Sequence, residues 1–446
     1  MCSVIGVINS KNAAKIAYYG LFATQHRGQE ASGISVSDNH HIKTIKGTGL
    51  VSEVFLNQKI QSLKGYIAIG HNRYSTAGSD SLQDSQPVMA KYNLGEISIA
   101  HNGNLVNKNE IRKKLIEEGA IFQSNMDTEN ILHLISRSKQ EHLQDRIIEA
   151  VKKCVGAYCL LILSINKIFV IRDPYGIRPL SLARLEDGGY MIASETCAFD
   201  LVGAKFIRDV KPGEMLIFED RKNEFKSIKL FDKVDPRICA FEYIYFARPD
   251  SVIEGKSVYE VRKNLGKILA QKSKVNADFV IPVPDSGVPA ALGYSQESKI
   301  PFEMLITRNH YVGRTFIEPT QEMRNLKVKL KLNPMHKILE DKKVVVVDDS
   351  IVRGTTSKKI VELLRKAGVK EIHMRISSPQ IKFPCKYGID TPSFTELISA
   401  NMKTDEICKY IGADSLEFLS ICELKKAIGD ERNYSLDSFD GNYFAK

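Results

Sequence analysis

The sequence predicts a mixed protein, α/β in one part and α+β in another, and three observations predict it. At 446 residues the chain exceeds one typical hydrophobic core, so two domains are expected. Val344 to Val347 are four consecutive valines, read as a short strand buried on both faces as in a parallel sheet. A polar loop and a helical pattern follow it, and residues 278–293 repeat the order strand, acidic loop, helix. The first half instead carries strands that run into glycine-bearing turns. Ile97 to Leu105, for example, alternates apolar and polar residues and is predicted to break at Asn102-Gly103, a standard turn dipeptide. The expected domains are residues 2–235 and 236–446.

Composition narrows the function classes. No apolar run reaches the ~18–20 residues a membrane helix needs, and no basic, apolar, cleavable leader is evident. A cytoplasmic protein with reduced thiols is expected, with no membrane partner. The net charge of +10 is spread along the chain, without an Arg-rich, aromatic-interleaved stretch. It therefore suits a small substrate bearing several phosphates better than nucleic acid. Eight cysteines are scattered with no C-x-x-C pair, so no zinc site is expected.

In chain order, Cys2 opens a strand-like segment ending at Ile8. Removal of Met1 would make Cys2 the amino terminus, giving its thiol an adjacent α-amine with an unperturbed pKa near ~8 as base. Gln25 to Ile34 is a polar turn leading into a strand, and Gly70 to Gly78 follows the apolar run Tyr66 to Ile69. Arg73 offers a bidentate grip on a carboxylate. Asn102 supplies a side-chain N–H and Gly103 an unobstructed backbone N–H, two donors of the kind an oxyanion needs. Asp127 suits an ammonium group. Charged, irregular sequence from Glu219 to Asp235 closes the first domain, and Pro236 to Asp250 enters the second.

Val258 to Lys272 then reads as a helix. Asp285, Ser286 and Gly287 form a small-residue loop suited to a pyrophosphate, with Pro289 at a helix start. Arg308 to Pro319 and the basic stretch to Lys331 suit a flap closing over a polyphosphate. Asp348 and Asp349 end the valine strand; a hydroxyl-rich loop, Ser350 to Ser357, has Gly354 at its centre. Lys358 to Ala367 has helical spacing, stopped by Gly368. A helix N-terminus favours phosphate, and two carboxylates suit ribose hydroxyls or Mg²⁺.

The stretch from Lys343 to Ser357 resembles the phosphoribosylpyrophosphate (PRPP) signature of type I phosphoribosyltransferases. Cys2, Arg73, Asn102-Gly103 and Asp127 together resemble the glutaminase domain of class II, N-terminal nucleophile amidotransferases. Joined in one chain, the halves resemble the glutamine PRPP amidotransferase family. The resemblance implies a four-layer αββα domain followed by a parallel-sheet phosphoribosyltransferase domain. Residues 172–180 with 192–195 look like the second sheet of the first domain.

The same resemblance implies that Cys2 attacks the glutamine amide, Asn102 and Gly103 stabilise the oxyanion, and Arg73 and Asp127 hold the α-carboxylate and α-amine. Ammonia would pass inside the protein to displace pyrophosphate from PRPP, giving 5-phosphoribosylamine and glutamate, the first step of de novo purine synthesis. Ser286, Asp348 and Asp349 take the Mg²⁺ positions. Ser350, Arg353, Gly354, Thr355 and Thr356 take the 5-phosphate. Purine nucleotide feedback inhibition and a homo-oligomer are implied as well.

One branch of the family carries a [4Fe–4S] cluster and a propeptide. Here Cys239 and Cys385 stand at two ligand positions, but Ser435 and Ser438 replace the other pair, leaving Cys408 or Cys422 only at displaced sites. No cluster is expected, and loss of Met1 alone should activate the chain. The alternatives are a class II amidotransferase with a different phosphorylated acceptor, and a PRPP-binding regulator. The first leaves the 348–356 loop unexplained, and the second would be expected to lose Cys2 or the oxyanion pair.

Overall fold

The computed structural model describes residues 1–74, 82–309, 332–429 and 432–445. The strands of its first half are β1 (Ser3–Ile8), β2 (Ala31–Ser37), β3 (Ile42–Thr48), β4 (Ile67–Arg73), β5 (Val88–Tyr92), β6 (Gly95–Leu105), β7 (Gly156–Ser164), β8 (Lys167–Arg172), β9 (Ser181–Arg184), β10 (Tyr190–Ala193), β11 (Lys205–Asp209), β12 (Glu214–Glu219) and β13 (Phe225–Lys229). They form two antiparallel sheets, ordered β11-β9-β10-β1-β4-β2-β3 and β13-β12-β8-β7-β6-β5.

Side-chain alternation stacks these sheets between helices. Val4 and Ile8 of β1 point at Leu161 and Leu163 of β7, sealing the space between the sheets. Ile5 and Val7 point the other way, onto Ala17 and Leu21 of α1 (Ala13–Ala23). On the far side, Leu160 and Ile162 of β7 pack under α2 (Lys108–Glu117), α3 (Asp127–Arg137) and α4 (Leu143–Lys152) through Ile111, Ile131 and Ile147. The layers run α, β, β, α. Antiparallel strands here are apolar on both faces because each sheet is covered twice.

The second half adds α5 (Val258–Lys272), β14 (Phe279–Pro282), α6 (Val288–Ser298), β15 (Lys343–Asp348), α7 (Thr355–Lys366), β16 (Glu371–Ile376), α8 (Thr404–Ile411), β17 (Ser415–Phe418) and α9 (Ile421–Ile428). The four strands pair parallel in the order β14-β15-β16-β17. Val345 and Val347 face Leu265, Leu269 and Tyr294, while Val344 and Val346 face Ile360, Val361 and Leu364. All four valines are fully buried, at roughly 1.5–3 kcal/mol each. A one-residue slip would exchange the two faces of the whole strand. Val258–Lys272 is helical as predicted, and Pro289 lies in the first turn of α6.

Four local expectations are corrected. Asn102 and Gly103 do not end a strand: β6 runs through them, paired with Cys159 and Tyr158, because no hairpin follows. Residues 225–229 are not irregular; β13 adds an edge strand whose Phe225 and Ile228 pack inward while its lysines stay outside. Thr355 to Ser357 belong to helix α7 rather than to the loop, since Gly354 at φ 75° already serves as its N-cap. Ile192 lies in β10 beside β1, so 172–180 and 192–195 contribute to different sheets.

The halves share a core. Met1, Ala157 and Ile177 pack into one cluster with Phe241, Tyr243, Tyr387, Leu436 and Phe439. Ile238–Cys239 pairs in parallel with Tyr434–Ser435. The proposed flap lies, from residue 310 to 331, outside the described residues, as do residues 75–78 of the Gly70 segment. Among the described residues, no helix is long and apolar enough to cross a membrane.

Candidate active sites

Cys2 lies just before β1, where Ser3 sits opposite Asn72 of β4. Its Sγ donates to the Tyr74 carbonyl at 3.7 Å, and burial pushes the thiol pKa up. The end of β4 reaches the other sheet through His71, whose Nε2 donates to the His101 carbonyl at 3.1 Å. Burial drives His71 down to about 3, so it stays neutral. The strand ends carrying Cys2 and Arg73 therefore lie over the segment that carries Asn102 and Gly103.

That segment is built for polar contact. Asn102 is 1% exposed, and its Nδ2 has no hydrogen-bond partner among the described residues. An orphaned buried amide N–H is costly, about 1–3 kcal/mol, and calls for an explanation. Gly103 has φ 148°, and a Cβ there would lie 2.0 Å from the Ala157 carbonyl oxygen, so only glycine fits. Arg73 is buried with Nη2 3.7 Å from Asp84. Asp127, the first residue of α3, accepts the Leu105 N–H at 2.9 Å and lies 3.3 Å from His101 Nδ1.

His101 and Arg27 carry structure that sequence reasoning did not assign. Burial would lower His101, but Asp127 outweighs it and the net shift is upward; both ring nitrogens face acceptors, Asp127 and the Ala157 carbonyl. Asp127 is correspondingly held below the usual carboxylate range despite its burial. Arg27 Nε donates to the Cys2 carbonyl at 3.1 Å, while its guanidinium grips Glu195 and, bidentately at 2.9 Å, Glu242. The partners lie 168 and 215 residues away, so only a charge inside an otherwise polar turn hinted at it.

The second site is local. Asp348 and Asp349 are buried at the carboxyl end of β15, where parallel sheets place ligands. The Asp349 N–H donates to Asp348 Oδ1 at 2.9 Å, and Ser350 Oγ donates to Asp349. Burial and then mutual repulsion push Asp348 well above its ordinary value. Burial raises Asp349 too, against relief from Ser286, Ser350 and Arg262. Arg262 is itself lowered to about 10 by burial, its guanidinium pinned to the Tyr243 and Ala247 carbonyls.

Around this pair, Gly354, Thr355 and Thr356 present the open N-terminus of α7. A Cβ on Gly354 would strike Ile398 at 2.6 Å. Arg353 is exposed and donates to Glu396 at 3.0 Å. Across the sheet, Asp285 pairs with Arg308, and Gly287 caps α6 against the Val347 carbonyl oxygen, 2.5 Å from where a Cβ would stand.

At the positions considered for a cluster, Cys239 stands opposite Ser435, whose Oγ donates to Asp437 at 2.8 Å. Burial pushes Cys239 up to about 11 and Cys385 well above its ordinary value. Arg178 Nη1, Asp437 Oδ2 and Ser438 Oγ are buried there without a hydrogen-bond partner among the described residues, Arg178 Nη1 lying 3.7 Å from Glu242.

An amidophosphoribosyltransferase 1 of Arabidopsis thaliana, described as chloroplastic, is 52% identical over 447 residues, covering 100% of this chain and 79% of its own. The amidophosphoribosyltransferase of Bacillus subtilis is 48% identical, covering 99% of this chain and 94% of its own. The chain belongs to the amidophosphoribosyltransferase family. Members of this family are pentosyltransferases. Residues 71–200 match the glutamine amidotransferase domain and residues 253–377 the phosphoribosyl transferase domain. A solved structure described as the allosteric regulatory enzyme of purine biosynthesis superposes with a TM-score of 0.95 at 47% identity, covering 100% of this chain and 96% of its own. The glutamine PRPP amidotransferase of B. subtilis, complexed with ADP and GMP, gives 0.94 at 46%, covering 100% and 98%. The fold is thus mixed α/β, an N-terminal glutamine amidotransferase domain followed by a phosphoribosyltransferase domain with the parallel sheet.

Proposed function

We propose that this chain hydrolyses glutamine at Cys2 and delivers the ammonia to PRPP, releasing pyrophosphate, glutamate and 5-phosphoribosylamine. The observation that carries the reading is the buried Asn102 N–H beside Gly103, without a hydrogen-bond partner among the described residues, under the strand ends that hold Cys2 and Arg73. A donor kept dry and unpaired in the resting protein is what a transient oxyanion requires. The division falls at residues 2–235 and 236–446.

In the first half Cys2 is the nucleophile. The chain's α-amine, here on Met1, is pushed down to about 4 by burial, so an amine at this depth is a free base at neutral pH. Loss of Met1 would free Cys2's own α-amine, able to take the thiol proton as the C–S bond forms. Asn102 and Gly103 donate to the oxyanion, and Arg73 and Asp127 hold the α-carboxylate and α-amine of glutamine.

In the second half, Asp285, Ser286 and Gly287 face the pyrophosphate, and Ser350, Arg353, Gly354, Thr355 and Thr356 hold the 5-phosphate. Asp348 and Asp349 suit ribose hydroxyls and Mg²⁺, with Ser286 as a further oxygen. Two adjacent buried carboxylates that repel each other match a divalent cation. Mg²⁺ takes one or two carboxylates and completes its shell with water and substrate oxygens. Bound there, it would make pyrophosphate a better leaving group.

We infer further that purine nucleotides inhibit the enzyme, as the ADP and GMP complex of the B. subtilis protein suggests. It would work in the cytoplasm as a homo-oligomer. With Ser435 and Ser438 at two ligand positions, it would carry no iron–sulfur cluster; about four iron and four sulfide per anaerobically purified chain would overturn that. The function itself is tested by assaying pyrophosphate and glutamate release with PRPP and glutamine, each alone and together. Synthesis of phosphoribosylamine only when both are present, or with ammonia in place of glutamine, is expected.

A further inference from the structure

Two contacts from the acceptor half reach the proposed oxyanion strand β6, and a third reaches Arg178 beyond β8. Asn104 Nδ2, one residue past Gly103, donates to the Lys386 carbonyl at 2.8 Å. Arg178, fully buried, donates from Nε and Nη2 to the next carbonyl, Tyr387, at 3.1 and 2.6 Å. The residue after that, Gly388 at φ 103°, lies so close to Gly103 that a Cβ on it would stand 3.0 Å from the Gly103 carbon and oxygen. Gly103 is closed on its other side by the Ala157 carbonyl.

The 385–388 loop is itself braced. The Tyr387 N–H donates to Cys385 Sγ at 3.3 Å, the Cys385 N–H to Thr391 Oγ1 at 2.6 Å, and the Ala445 N–H to Tyr387 Oη at 3.0 Å. A glycine whose Cα and carbonyl are boxed in from two sides loses little further freedom when charge develops beside it. That is what preorganisation of a donor means.

We propose that the acceptor half builds the back wall of the glutaminase oxyanion site, with Gly388 as a positioning residue for Gly103 and with Arg178 and Asn104 holding Gly388 in place. This rests on the reading of Asn102 and Gly103 as oxyanion donors. Two consecutive carbonyls gripped from the first half, then a glycine pressed on the Gly103 carbonyl and Cα, transmit any displacement of the loop to Gly103. No part of this contact touches Asp348, Asp349 or the α7 N-terminus, so ammonia-dependent synthesis should not depend on it.

The test compares wild type with Gly388→Ala, Asn104→Ala and Arg178→Lys in the full chain. Gly388→Ala is expected to lower the kcat of glutamine hydrolysis roughly tenfold to a hundredfold, with the KM for glutamine within about twofold and the ammonia-dependent rate from PRPP retained. Asn104→Ala, at a partly exposed position, should lower the same kcat severalfold, and Arg178→Lys, which keeps one donor, should fall between. An unchanged hydrolytic kcat in both Asn104→Ala and Gly388→Ala overturns the proposal. So does parallel loss of the ammonia-dependent rate, the mark of general damage. If Gly388→Ala does not fold, Asn104→Ala decides alone. Absence of glutamine hydrolysis in wild type would overturn the glutaminase reading itself, a result distinct from wild-type hydrolysis that the variants leave untouched.

Discussion

The two sites are built in opposite ways. The proposed glutaminase site gathers residues 2, 73, 102 and 127 from the residue before β1, the end of β4, β6 and the start of α3, and Asp127 and Arg73 already face partners. The proposed PRPP site draws on two short segments, 285–287 and 348–356, and leaves two adjacent buried carboxyl groups, Asp348 raised by burial and by the charge of Asp349. The first keeps the Asn102 donor in reserve, without a partner among the described residues. The other awaits a ligand that brings compensating charge. The first must stabilise a charge that appears for an instant, whereas the second binds a charge that arrives with the substrate.

Substitutions can break that contrast. Cys2→Ala should reduce glutamine-dependent synthesis by roughly 10⁴-fold or more, as loss of a nucleophile does. The ammonia-dependent rate should survive, and parallel loss of both rates would mean the sites are not separate. Asn102→Ala should cost roughly 10²–10³ in the kcat of hydrolysis and cost the folded state little, since its Nδ2 has no hydrogen-bond partner among the described residues. Asp349→Asn should lower both routes together, by about 10², because they share the acceptor; an untouched ammonia rate would move the PRPP site elsewhere.

Smaller effects sharpen the comparison. Arg27→Met would leave Glu195 and Glu242 buried near each other without their shared cation, a loss of about 3–5 kcal/mol visible as a lowered denaturation midpoint. The His101–Asp127 pair supplies a pH signature. His101 is raised in the folded state, so its contribution is complete below its unfolded value near ~6.5 and is lost as pH rises through the folded value. Asp127 is lowered, so its contribution is complete above ~3.9 and is lost on acidification. The gap in urea midpoint between wild type and Asp127→Asn should be widest from about pH 4 to 6.5 and narrow above; a gap independent of pH would contradict the ion pair.

Legibility in the sequence follows the same division. The valine strand, its acidic end and the glycine N-cap lie within a dozen consecutive residues, so local rules of burial and turn chemistry expose them. The glutaminase residues are legible singly only as turns. Asn102-Gly103 looked like a hairpin dipeptide because nothing local shows that β7 will pair along both residues. The alternation of Ile97, Ser98, Ile99 and Ala100 is real, but Ser98 meets Ser35 at 2.8 Å across the sheets rather than water. A four-layer domain offers its central strands no solvent face, and a pattern of period two cannot say what lies opposite. Arg27 was beyond local reading for the same reason, since its partners are set by topology.

The shared core also sets an order in time. Met1, Ala157 and Ile177 complete their packing only against residues near 240, 387 and 436, and Arg27 finds its second carboxylate only at Glu242. A nascent chain grown no further than β13 would hold Glu195 with Arg27 but leave the oxyanion strand without Gly388 behind it. Contacts of such long sequence separation form late. The half that makes ammonia would therefore reach full working shape only when the half that consumes it has been synthesised and has docked, and unfinished chains would waste little glutamine.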